Sequence, residues 1–304
     1  MCRFSFLCLF VLMAMLVSSP SYSNNWCGFM NWKPGQLRSV FMWVDGRVRH
    51  YSLYVPHSYQ EDAALVLDFH GQASNKFIQY NASCWKQSAD RHGFVVAFPQ
   101  ALGFIPTWNG GDYCCYPKSE NDVVFASALV SCLSDSSRSG LAINSDKVFA
   151  VGLSNGGAFA GRLVCDDSQL FSGALVMSQS FPYAATEQCR ALPNQKAVNV
   201  LEVRGRYDVI VPHDFSWSWS LPASVSGQRW KQAQGCRDQG RVVDVCDRPG
   251  SSQECEYGRA TCTVFSDCDD GVSVSHCSLQ GGHTLYDNEH HYDVCEDAWQ
   301  QFNR

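Results

Sequence analysis

Runs of continuous apolar residues, separated by stretches of helical spacing, constrain this chain more than any other feature of its sequence. Residues 64–69 (ALVLDF), 94–98 (FVVAF), 148–151 (VFAV), 172–176 (SGALV) and 198–203 (VNVLEV) carry few polar breaks. Strands of that kind are buried on both faces, as in a parallel sheet with helices packed on either side. Residues 47–55 (RVRHYSLYV) instead alternate polar with apolar and stop at Pro56, the mark of a half-buried antiparallel strand. Between the runs, residues 122–133 place Phe125, Ala128, Leu129 and Cys132 on one helical face, with Asn121 or Asp122 placed to cap the start. Residues 155–165 begin with small side chains and then turn amphipathic. The expectation is an α/β fold: a mostly parallel central sheet flanked by helices, in a single domain over residues 24–304.

The first 23 residues stand apart. Arg3 is their only charge, residues 4–17 are an apolar run, and Ser21 and Ser23 are the small residues that a cut after position 23 requires. The run is shorter than the roughly 20 residues of a membrane-spanning helix. Residues 1–23 therefore read as an export signal, with no membrane anchor, and the expected location is extracellular.

Cysteine usage agrees. Of sixteen Cys, the fourteen beyond position 23 form an even, dense set suited to an oxidising compartment. There is no CxxC pair and the gaps match no zinc spacing, so disulfides are expected and a metal is not. Adjacent Cys114 and Cys115 are expected to bond outward to two different partners. Six cysteines lie between residues 228 and 278, which reads as a disulfide-stapled, loop-rich insertion before the last strand. Asn81-Ala82-Ser83 is a glycosylation sequon. The formal net charge is −6 and no basic run occurs, which argues against a nucleic-acid partner.

The chemistry concentrates in Gly152-Leu153-Ser154-Asn155-Gly156-Gly157, which follows a β-branched run and opens a helical one. That context suits a serine nucleophile held on a tight strand-to-helix turn, with glycines leaving room for the neighbouring backbone. The helix N-terminus puts the Asn155 amide near a developing oxyanion. A serine hydroxyl needs a base and an orienting acid, which in such sheets follow in the order Ser, acid, His. Asp208 lies just beyond the run 198–203, with Asp214 and Asp244 as alternatives. His283, in Gln280-Gly281-Gly282-His283-Thr284, lies just beyond an apolar run at 272–278. His290 and His291 fall in a polar, acidic stretch that reads as surface, and His213 is too near Asp208 along the chain. His70-Gly71-Gln72 ends the run 64–69, so the Gln72 amide is the candidate second oxyanion donor. Losing one such donor typically costs about 3–4 kcal/mol of transition-state stabilisation.

Taken together, these pieces resemble the secreted polyhydroxybutyrate-depolymerase and feruloyl-esterase family of α/β hydrolases, which includes acetylxylan esterases. The matching segments are Cys27-Gly28 with Pro34-Gly35, residues 49–56 (RHYSLYVP), 65–71 (LVLDFHG), Trp108-Asn109 with Cys114-Cys115, 121–125 (NDVVF), 147–157 (KVFAVGLSNGG), 208–212 (DVIVP) and 281–284 (GGHT). The resemblance implies the α/β-hydrolase fold and a catalytic triad of Ser154, Asp208 and His283. It also implies ester hydrolysis through an acyl-enzyme, with neither metal nor cofactor. The chain departs from the family at Gln72-Ala73-Ser74 and at Leu285-Tyr286, two places that border the cleft and bear on substrate identity.

Trp108, Tyr113, Tyr116, Trp217, Trp219 and Tyr286 lie in loops expected near the same edge, where rings stack on a sugar, a phenolic acid or a polymer chain. His70, Trp108 and Tyr286 are the candidate substrate contacts. The expected partner is a polymeric or oligomeric ester: a polyhydroxyalkanoate, or feruloyl or acetyl groups on plant polysaccharide. A serine peptidase of the same fold would need a pocket for the peptide amine, often a Glu pair, and none is evident. A binding protein that has lost turnover commonly lacks a triad member, and here all three are present.

Overall fold

The computed structural model describes residues 26–112, 114–115, 120–182, 189, 195–216 and 220–303. Residues 1–23, read as an export signal, and the aromatics Tyr113, Tyr116, Trp217 and Trp219 lie outside the described residues. In chain order the elements are β1 (Leu37–Val44), β2 (Arg47–Tyr54), β3 (Ala63–Phe69), α1 (Lys76–Ala82), α2 (Trp85–His92), β4 (Val95–Pro99), α3 (Asp122–Ser134), α4 (Ser136–Ser139) and β5 (Ile143–Leu153). There follow α5 (Asn155–Asp166), β6 (Gly173–Met177), β7 (Asn199–Gly205), α6 (Ala223–Ala233), β8 (Arg241–Asp244), β9 (Thr261–Phe265), β10 (Val274–Leu279) and α7 (Val294–Phe302).

The strands form one sheet in the order β1-β2-β4-β3-β5-β6-β7-β10-β9-β8. From β4 to β10 neighbours run parallel, and antiparallel pairs extend the sheet at both ends. The apolar runs become the centre for a simple reason. Every residue of β3, β4 and β6 is buried, so each side chain meets a helix layer on one face or the other. One layer packs Phe125, Leu129, Phe159, Leu163 and Trp230 against the sheet, from α3, α5 and α6. The other packs Trp85, Ala89, Trp299 and Phe302, from α2 and α7. This is the α/β-hydrolase architecture.

The segment read as a loop-rich insertion is more ordered than its composition suggests, because β8 and β9 pair antiparallel and β9 joins β10. Asn121 takes the N-cap position of α3 without a side-chain cap bond. Its neighbour Asp122 turns inward instead, to pair with Arg49 at 2.8 Å and to accept the Asn109 amide at 2.9 Å.

The fourteen cysteines form seven disulfides: Cys27–Cys132, Cys84–Cys295, Cys114–Cys115, Cys165–Cys189, Cys236–Cys268, Cys246–Cys255 and Cys262–Cys277. The expectation that Cys114 and Cys115 bond outward is corrected, since they bond to each other. The other twelve pair among themselves and leave these two no further partner. Among the described residues no helix is long and apolar enough to cross a membrane.

Candidate active site

Ser154 occupies the turn between β5 and α5 with φ 57° and ψ −122°. A non-glycine residue held there stores about 1–3 kcal/mol of strain. The surroundings enforce it: the Ser154 amide donates to the Met177 carbonyl at 2.8 Å, and its own carbonyl accepts Ala158 N–H at 2.9 Å. The flanking glycines are required by close approach. A Cβ on Gly156 would fall 2.0 Å from the Phe69 carbonyl oxygen, and one on Gly152 would fall 2.4 Å from the Gly156 backbone. The turn after β3 packs alongside, since a Cβ on Gly71 would lie 3.6 Å from Ser154 Cβ. The Gln72 amide follows in that turn. Asn155 opens α5, where the first N–H groups have no partner inside the helix.

Asp208 follows β7 and His283 follows β10, so both lie at the strand ends where Ser154 follows β5. His283 Nδ1 meets Asp208 Oδ2 at 2.7 Å. The other carboxylate oxygen, Oδ1, accepts the Ile210 and Val211 amides at 2.8 and 2.9 Å. Burial alone would raise the Asp208 carboxyl. The hydrogen bonds from His283 and from the Val211 and Ile210 amides outweigh it and hold the carboxyl below its ordinary range. The imidazole is partly exposed, at 19%, and its backbone carbonyl accepts the Ser178 hydroxyl at 2.6 Å.

Sequence reasoning missed the residues that hold these groups. The Arg204 guanidinium, fully buried on β7, donates to the Pro212 carbonyl at 2.8 Å and the Leu221 carbonyl at 3.3 Å, which braces the loop that carries Asp208. The Asn155 side chain clasps Trp108, accepting its amide at 2.7 Å and donating to its carbonyl at 2.9 Å. Trp108 Nε1 donates to the His70 carbonyl at 3.0 Å. A polar residue inside an otherwise apolar strand, such as Arg204, was the available signal.

His70, Trp108 and Tyr286 are corrected from substrate contacts to supports beneath the site. His70 and Trp108 are 0% exposed and Tyr286 8%. Each polar end is already engaged. His70 Nε2 accepts the Ala101 amide at 3.1 Å while Nδ1 donates to the Gly71 carbonyl, and burial lowers this imidazole to about 4, so it is neutral at pH 7. Trp108 stacks on Phe159 with ring centroids 5.3 Å apart. The Tyr286 hydroxyl accepts Gln79 Nε2 at 2.8 Å.

The alternatives are occupied elsewhere. Asp214 pairs with His213, whose Nε2 meets the Ser278 hydroxyl at 2.8 Å, and Asp244 accepts the Cys246 and Gly258 amides. His290 is buried rather than on the surface, and its Nε2 accepts the Gln280 amide. His291 is exposed, near Glu254. Among the described residues, Asp293 with Cys84 and Cys295, and Asp244 with Cys246 and Cys255, bring their ligand atoms close together, but in each group the two sulfurs form a disulfide and offer no thiolate.

No family model matches the sequence. The chain is 22% identical over 244 residues to the bifunctional acetylxylan esterase/xylanase XynS20E of Neocallimastix patriciarum, covering 79% of this chain and 31% of that protein. It is 27% identical over 176 residues to NocK of Nocardia uniformis subsp. tsuyamanensis, which carries the name of an esterase, covering 56% of this chain and 48% of that protein. The chain thus spans less than half the length of these curated relatives. The acetyl xylan esterase structure from Aspergillus awamori matches with a TM-score of 0.58 at 14% identity, covering 78% of this chain and 89% of that one. The chain has the α/β-hydrolase fold, and the two curated proteins above carry the word esterase in their names.

Proposed function

We propose that this chain is a serine esterase that hydrolyses carboxylic esters through an acyl-enzyme, with Ser154 as nucleophile, His283 as base and Asp208 as orienting acid. The observation that carries this reading is the Asp208–His283 hydrogen bond at 2.7 Å, at the C-terminal strand ends where Ser154 is held at positive φ. Asp208 fixes the Nδ1–H tautomer, which leaves Nε2 free to take the Ser154 hydroxyl proton. The oxygen then attacks the ester carbonyl, and the amides of Asn155 and Gln72 receive the oxyanion. Collapse breaks the carbon–alkoxide bond, and the imidazolium returns its proton to the leaving alcohol. Water, deprotonated by the same imidazole, releases the acid and restores Ser154.

The substrate is an ester on a polymer or its fragments: a polyhydroxyalkanoate, or feruloyl or acetyl groups on plant polysaccharide. Seven disulfides suit an oxidising compartment, which supports export directed by residues 1–23. Hydrolysis of a short p-nitrophenyl ester by the wild type and by Ser154→Ala tests the reaction, and equal rates would refute it. Methyl ferulate, acetylated xylan, polyhydroxybutyrate and a peptide amide, assayed side by side, separate the substrate classes.

A further inference from the structure

Asp68 lies on β3 two residues ahead of His70 and is 0% exposed, on the core face it shares with Tyr54, Val66 and Trp85. Nε2 of Gln79, on α1, donates to Asp68 Oδ1 at 2.7 Å and to the Tyr286 hydroxyl at 2.8 Å. Tyr286 lies three residues beyond His283, with Leu285 wholly buried between them. A single amide therefore links the strand that ends in the Gly71–Gln72 turn to the loop that carries His283. The hydrogen-bonded partners Gln79 and Tyr286 are 207 residues apart in sequence.

Stability does not explain this arrangement. A buried carboxylate without a cation is unfavourable, and an apolar trio of similar volume would pack the same space. Burial raises the Asp68 carboxyl to about 7, against the pull of the Ser83 and Gln79 side chains. Tyr286 is the titratable group that faces it, its own hydroxyl held well above the ordinary range by burial and by Asp68. Gln79 and Ser83, the contacts from α1 and the turn after it, do not titrate. A carboxylate only accepts, so it fixes which end of the Gln79 amide points inward. Once protonated, Asp68 offers a donor of its own, and that orientation is no longer enforced.

We infer that Asp68, Gln79 and Tyr286 are positioning residues, in which the Gln79 amide, oriented by the Asp68 carboxylate, sets the His283 loop against the oxyanion turn. The inference rests on the esterase reading for its kinetic consequence, and on the hydrogen bonds alone for its structural one.

Tyr286→Phe keeps the ring in the core and removes only the hydroxyl. The expected result is faster backbone hydrogen exchange across residues 280–287, in the wild-type and the Ser154→Ala background alike. On a p-nitrophenyl ester, kcat should fall about tenfold while KM stays within about twofold. Asp68→Asn supplies the second readout. In the wild type, protonation of Asp68 releases the Gln79 amide and should steepen the acid limb of log kcat against pH, and the variant should show a shallower limb. Unchanged exchange in Tyr286→Phe overturns the inference, as does faster exchange with kcat retained, which would mean a purely structural tie. An unaltered slope in Asp68→Asn removes the carboxylate from it. Exchange measured in the Ser154→Ala background does not depend on turnover, so failure of the esterase reading would be seen separately, as full activity of Ser154→Ala.

Discussion

From β3 to β7 the strands contain no cysteine, and most of their side chains are buried against helices on one face or the other. At the C-terminal edge, β8 and β9 leave several side chains at least partly exposed. There three disulfides, Cys236–Cys268, Cys246–Cys255 and Cys262–Cys277, cross-link the strands and the loops beside them. Burial holds the central strands, and at the edge covalent bonds reinforce it. The candidate site straddles the two. Ser154 and Asp208 follow central strands, whereas His283 follows β10, which pairs with β7 on one side and β9 on the other and is bonded to β9 through Cys277.

Ser154→Ala gives the largest effect and separates function from stability in the centre. Turnover should fall by at least about a thousandfold, while the thermal midpoint holds, because a strained turn keeps its backbone contacts. A proportional loss of stability would mean that Ser154 acts as scaffold. Phe159→Ala tests the other half of the contrast. Truncating a fully buried ring should cost about 3–5 kcal/mol in urea unfolding, and a loss under about 1 kcal/mol would deny the centre its reliance on packing.

At the edge, the paired change Cys262→Ser with Cys277→Ser should cost about 3 kcal/mol, as expected for a loop of that length. It should also lower kcat, because His283 loses the anchorage of its strand. Cys246→Ser with Cys255→Ser opens a shorter loop and should leave kcat as it was. Equal kinetic losses from the two pairs would erase the distinction between border and edge.

The smallest effect contrasts two acids. Asp208 is held below its ordinary range, so its contribution is present above the unfolded carboxyl value and is lost as pH falls through the folded one. Asp68, raised to about 7, is the reverse. Its folded form keeps a proton the unfolded chain releases, so its contribution is full below the unfolded value, near ~4, and is lost as pH climbs to neutrality. Asp68→Asn should therefore raise the thermal midpoint at pH 8 by about 2–4 °C. A fall at pH 8 would count against the assigned direction.

The sequence exposed the centre because burial on two faces writes itself as unbroken apolar runs, and β3 to β7 were legible for that reason. Strands β1, β8 and β9 were not. Phe41 and Trp43 point outward on β1, and β8 and β9 rely on partners rather than on an apolar pattern. The candidate triad was legible through local glycine signatures and chain order. Its supports were hidden, because Ser178 meets His283, and Asn155 meets Trp108, across long separations that leave no local mark. Trp108 and Tyr286 were misplaced for a related reason: an aromatic in a polar or glycine-rich stretch reads as surface until its neighbours are known.

Cys84 opens α2 and Cys295 lies in the first turn of α7, at a sequence separation of 211. During synthesis the earlier thiol emerges well before its mate exists. Until then every other cysteine already made is a competing partner, so correct pairing waits for the last helix to dock against the second. That clasp couples oxidation of Cys84 to the synthesis of α7. Shuffled bonds involving Cys84 would be the characteristic by-product of production in a host with poor disulfide exchange.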